Sequence, residues 1–152
     1  MNLSPPLTSL RAAGYDDDFV CWLEQQLALL RARKFDELDL ENVIEEFEAM
    51  GRSERRELSS RLQVLLMHLL KCQYQPGRKT RSWLGTIIEQ RAAILDHLEQ
   101  SPSLRQQVGP FAGKAYNTAV ELAANQTGLP MSSFPAENPY TPQQLLDPDF
   151  VP

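Results

Sequence analysis

Two residues interrupt apolar helical patterns where chemistry could sit. Arg91 falls in a stripe of positions 84, 87, 88, 91, 94/95 and 98 that is otherwise apolar. A buried guanidinium stays charged and needs a carboxylate or carbonyl partner, and leaving it unpaired costs several kcal/mol. His68 sits inside "VLLMHLL", the most apolar run of the chain, with Arg61 and Cys72 on its flank and Lys71 close by. The carboxylates available to both lie in "DLENVIEEFEAMG", residues 39–51. At helical spacing Asp39 and Glu46 flank the Val43/Met50 side of that segment, Glu41 and Glu48 flank the Ile44 side, and Asn42 and Glu45 point further outward. A hairpin across Pro76-Gly77 would set His68 level with residues 85–91 and bring it near Arg91. The candidate polar cluster is therefore Asn42, Glu45, Glu46, His68 and Arg91. One reading makes it a site, with histidine as acid or base, a glutamate as its partner and arginine holding an anion. The other makes it a hydrogen-bonded layer that fixes helix register. The second is favoured, because buried polar groups are normally satisfied within the fold.

A second candidate is "QPGRKTRSW", residues 75–83, which has the look of a phosphate-cradling loop. A Walker loop needs a glycine directly before Lys-Ser/Thr, another five residues earlier, and a preceding strand. Here Arg78 precedes Lys79-Thr80, position 73 is Gln73, and a leucine-rich helix comes first. The stretch reads as a helix break followed by a new start capped by Thr80 or Ser82. Arg78, Lys79 and Arg81 remain candidate contacts for an anion. They belong to residues 52–81, which hold eight bases and two acids, between an N-terminal segment and a C-terminal segment that are both acidic. Such a basic stretch can bind nucleic acid, here through Arg52, Arg55, Arg56, Arg78, Lys79 and Arg81. The overall charge of −5 and the lack of interleaved aromatics favour neutralisation between helices instead.

Other chemistries find little support. Neither His68 nor His97 has a glutamate three residues before it, so the Glu-x-x-His pattern of a di-iron bundle is missing. There is no Gly-x-Ser-x-Gly, and Cys21 and Cys72 lie far apart within apolar helical patterns, which suggests cytosolic thiols. No metal and no cofactor is expected.

The elements that must position these residues are helices. Asp16-Asp17-Asp18 suits a helix start, followed by Phe19, Val20, Leu23, Leu27 and Leu30 at helical spacing up to Arg33-Lys34. A second helix runs from about Asp39 to a stop at Gly51, and a third, capped by Ser53, spans about 54–74. Leu58, Leu62, Leu65, Leu66, Leu69 and Leu70 make the third apolar nearly all round, which places it in the middle of a bundle. A fourth spans about 80–100, and a fifth about 104–127 with a bend at Gly109-Pro110. Six of the eleven prolines fall in residues 130–152, so that stretch cannot be one helix. It reads as a strap, anchored by Phe134, Tyr140, Leu145, Leu146 and Phe150, with a short helix after Thr141-Pro142. The expected organisation is a flexible lead over 1–14, a helical bundle over 15–128, and the strap over 129–152 packed on it. The apolar runs are too short to span a membrane, and the N-terminus has no secretory pattern.

These residues also carry a resemblance. Tyr15-Asp16-x-Asp18-Phe19-x-x-Trp22, Leu38-Asp39-x-x-Asn42, Glu45-Glu46-x-Glu48-x-x-Gly51, His68-Leu69-Leu70-Lys71, Ser82-Trp83-x-x-Thr86-Ile87-x-x-Gln90-Arg91 and Pro139-Tyr140-Thr141-x-x-Gln144-Leu145-Leu146-Asp147 form the set. Over essentially residues 15–152 the chain resembles the uncharacterised bacterial family catalogued as domain of unknown function 29. The resemblance implies an all-helical bundle and assigns no activity. Asn42, Glu45, Glu46, His68 and Arg91 all occupy its motif positions, which favours a shared role for the polar layer. The expectation is an all-α, single-domain, cytoplasmic bundle of about five helices. Its function would be non-enzymatic binding or assembly, with a second copy or another protein as partner. The apolar surface of Trp22, Leu29, Trp83 and the strap is generous for one bundle.

Overall fold

A computed structural model of the chain describes residues 14–152, and the expected flexible lead lies, apart from Gly14, outside the described residues. The fold is all-α, with no strand among the described residues. Its helices are α1 (Phe19–Arg31), α2 (Leu40–Tyr74), α3 (Arg81–Gln100), α4 (Val108–Thr127) and α5 (Pro142–Leu146). Short 3-10 turns at Phe35–Glu37, Pro76–Arg78, Pro102–Gln107 and Met131–Ser133 connect them.

Two sequence expectations fail at glycines. α2 runs unbroken through Gly51 and Ser53, where a stop and a new cap were expected. A glycine stop works by a left-handed backbone, and among the described glycines only Gly128 takes a positive φ, 75°. Gly51 stays helical at a cost of about 1 kcal/mol relative to alanine. The expected bend at Gly109-Pro110 is instead the beginning of α4. Pro110 falls in its first turn, where backbone N–H groups have no helical acceptor anyway.

The chain divides into two compact units, Met1–Gly51 and Arg52–Pro152. In the first, Asp18 caps α1 by accepting from the Cys21 amide at 3.0 Å. α1 ends at Ala32, and Arg33, at φ 56°, reverses the chain toward α2. Trp22 and Val43 are the buried apolar side chains among the described residues of this unit.

The second unit has a conventional core. Leu58, Leu62, Leu65, Leu66, Leu69 and Leu70 of α2 are fully buried with Ile87, Ile94 and Leu98 of α3. α4 contributes Val108, Ala112, Ala115, Ala119 and Ala123, small side chains that let a helix pack closely. Thr80 caps α3 through the Trp83 amide at 3.2 Å. The proline-rich strap buries Phe134, Tyr140 and Leu145. Tyr116 donates to the Pro135 carbonyl and Tyr140 to Gln73 Oε1, each at 2.7 Å. A reciprocal capping box between Thr141 and Gln144 starts α5.

Candidate functional site

In the first unit the polar residues form a clasp around Asp39. Its carboxylate accepts from Asn42 Nδ2 at 2.8 Å and from Trp22 Nε1 at 2.9 Å. Its own amide donates to Gln26 Oε1 at 2.8 Å. Hydrogen bonds to a carboxylate favour the charged form, and those from Asn42 and then Trp22 hold Asp39 below the usual carboxylate range. Tyr15 donates to Glu46. That bond to a carboxylate pushes the phenol up to about 12. The Tyr15 ring meets Trp22 edge-on at 4.9 Å. Glu45 is exposed but engaged elsewhere. Trp22 and Gln26 of α1 thus hold the start of α2 through Asp39, Asn42 bonds locally to the same carboxylate, and Glu46 ties α2 to the turn before α1.

The other side of the α1–α2 hairpin is apolar and open. Nine of the twelve large hydrophobic side chains exposed among the described residues belong to it: Phe19, Val20, Leu23, Leu27, Phe35, Leu40, Ile44, Phe47 and Met50. A cleft of about 80 Å³ lies between its helices, walled by Trp22, Leu23, Leu27, Leu30, Val43 and Phe47 together with Gln26 and Glu46.

In the second unit His68 and Arg91 take separate partners. His68 is half-buried and donates from Nδ1 to the Val64 carbonyl of its own helix at 2.9 Å. Burial, and then the nearby Lys71, lower its pKa. Arg91 is only 3% exposed. Its Nε donates to the Leu145 carbonyl at 3.0 Å and its Nη2 to the Gln144 carbonyl at 3.1 Å. Those carbonyls end α5, so the arginine ties the strap to α3. No hydrogen bond or ion pair joins His68 to Arg91 among the described residues. The hairpin across Pro76-Gly77 thus leaves them with different tasks.

The model for the family described as Domain of unknown function DUF29 matches residues 14–151. The chain belongs to that family. No curated protein and no solved structure matches it.

This DUF29 chain also buries two basic side chains that sequence patterns did not single out as sites. Lys71 is 4% exposed, donates to Gln126 Oε1 at 2.6 Å, and lies 4.3 Å from the centre of the Trp83 ring. Burial lowers its pKa. His97 is buried and donates from Nε2 to the Glu54 carbonyl at 3.1 Å, with Glu54 Oε2 at 3.4 Å. Spacing from Ile94 placed His97 on the core-facing side of α3, the one signal available. Cys72 is a free buried thiol pushed up by its surroundings, and Cys21 is also free. Of the candidate anion contacts, Lys79 donates to the Pro152 carbonyl at 3.0 Å, while Arg78 and Arg81 are exposed at the turn and at the start of α3. No group of three His, Cys, Asp or Glu side chains among the described residues is arranged to hold a metal ion. None of their helices is long and apolar enough to cross a membrane.

Proposed function

We propose that this DUF29 protein is a non-enzymatic assembly module that associates with a second copy of itself through the open face of the α1–α2 hairpin. The nine exposed apolar side chains on residues 19–50 carry this reading. Side chains of that size, each about half exposed, leave several hundred Å² of apolar surface, comparable with the ~800 Å² one partner contributes to a standard interface. Among the described residues of this unit nothing covers that face. An identical hairpin applied by a two-fold axis completes four helices around one core, and two-fold pairing is the commonest oligomeric arrangement. Of the groups that could do chemistry, both histidines donate to backbone carbonyls, and burial keeps Cys72 as a thiol. Two free cysteines suit a cytoplasmic setting.

Residues 14–51 hold eleven acids and three bases. Two such hairpins repel at low ionic strength, so added salt strengthens the dimer, whereas a basic partner helix would be released by salt. Light scattering over a concentration series is the test. The expected result is a dimer that tightens with salt and becomes monomeric in Phe47→Glu and Leu27→Glu. A strict monomer at high protein concentration would refute the proposal.

A further inference from the structure

Arg91 carries a donor that the fold does not use. Nε and Nη2 are occupied by the two strap carbonyls, but Nη1 is buried with no acceptor among the described residues. The charge also lacks an ion-pair partner there. Asp147 acts on it through space, and the Asp147 carboxylate accepts instead from the Asp149 amide at 2.9 Å. A guanidinium does not give up its proton in a protein, so a positive charge and an unmet N–H edge persist within the unit.

Beside this group lies a cleft of about 170 Å³ walled by Ile88, Arg91, Ala92, Leu95 and Pro148. Apart from Arg91 every wall is apolar. The volume holds roughly five or six groups of water size at ~30 Å³ each, too little for a nucleotide. A bare inorganic anion would bury its charge against Ile88 and Leu95 without compensation. The arrangement suits a ligand with one planar anionic head, which matches guanidinium geometry, and a short apolar body. We propose that this cleft binds a short-chain aliphatic monocarboxylate, its head on Arg91 Nη1 and its alkyl chain along Ile88, Ala92 and Leu95. Nη1 is sealed from solvent in the present arrangement. The proposal therefore requires the cleft wall to shift on binding, at Pro148, an exposed residue beyond the end of α5. The site lies on residues distinct from the hairpin face, so either proposal can fail without the other.

The test is an amide-resolved NMR titration of the full chain with 3-methylbutanoate, against its neutral amide and against sodium chloride at equal ionic strength. The expected result is saturable shifts at residues 88–95 and 145–150 with the carboxylate, and binding of the amide weaker by about tenfold or more. Ala92 is exposed, and Ala92→Leu fills the cleft from the helix surface. It should abolish the saturable shifts while the strap signals stay in place. Ile88→Glu, at another exposed position, sets a carboxylate at the rim and should weaken binding in the same way if Ala92→Leu disturbs the fold. Equal binding of the amide, wild-type binding by a folded variant, or no saturation up to ~100 mM overturns the proposal.

Discussion

The two units of this chain spend their leucines differently. In Arg52–Pro152 six leucines of α2 are shut away among α3, α4 and the strap. In Met1–Gly51 the same helical periodicity puts leucines and phenylalanines on a face that water reaches. Both segments are amphipathic by pattern, but among the described residues only the second has its apolar stripe covered within its own unit. Beside buried Trp22 and Val43, the first unit is tied by polar bonds: the Asp39 clasp to Trp22, Asn42 and Gln26, and the Tyr15–Glu46 bond. Periodicity reports that a face wants burial, and does not report whether the same chain supplies the cover.

The sharpest contrast comes from paired truncations. Leu66→Ala, at a fully buried position, should cost ~2–5 kcal/mol, since the methyl groups are lost and the cavity cannot collapse. Leu27→Ala, at a side chain 40% exposed, should change the stability of the monomer by no more than ~0.5 kcal/mol. Denaturant unfolding at low protein concentration measures both. Equal costs would mean that the hairpin face is covered in solution even in the monomer, and the contrast would collapse.

A smaller effect tests the clasp. Asp39→Ala leaves Trp22 Nε1 and Asn42 Nδ2 without their acceptor, and Trp22 is 2% exposed. A buried donor left unsatisfied costs ~1–3 kcal/mol. Hydrogen exchange should accelerate across Phe19–Arg31 and leave the amides of Leu58–Leu70 unchanged. Acceleration in both segments would show that the polar clasp also supports the leucine core.

Much of this was legible in the residues. The helical class, the caps at Asp18, Thr80 and Thr141, and the helix break at Pro76 follow from local chemistry that acts within a few positions. Gly51 misled because glycine permits a stop without demanding one, and strong helix formers on both sides carry α2 through. Arg91 stood out because it breaks a stripe, yet its partners could not be read. They are backbone carbonyls 53 and 54 residues away, and every residue type offers a carbonyl. Glu46 and Asp39 read as flanking an apolar face, and Asn42 as pointing further outward. The bonds from Asn42 to Asp39 and from Tyr15 to Glu46 could not be read, because spacing places a side chain on a face without naming its partner.

The smallest effect is in acid, where the units should respond in different windows. His68 is held neutral by burial, its folded pKa below the ordinary 6.5. The unfolded chain therefore binds the proton more readily. The His68 contribution is complete above pH 6.5 and declines as pH falls from there toward the folded value. Asp39 is also depressed, here by hydrogen bonds to its charged form, from an ordinary value of 3.8. Its contribution is intact above that value and is lost as pH falls through the lower folded pKa. On descending from neutrality, amides around Val64–Lys71 should thus lose protection first, below about pH 6.5, while those of α1 hold until below about pH 4. Exchange measured residue by residue from pH 7 to pH 3, corrected for intrinsic rates, separates the two windows. His68→Gln should erase the upper one and leave the lower. Protection of both segments falling together would mean that one titration governs both, and the division of labour between a leucine core and a polar clasp would not survive.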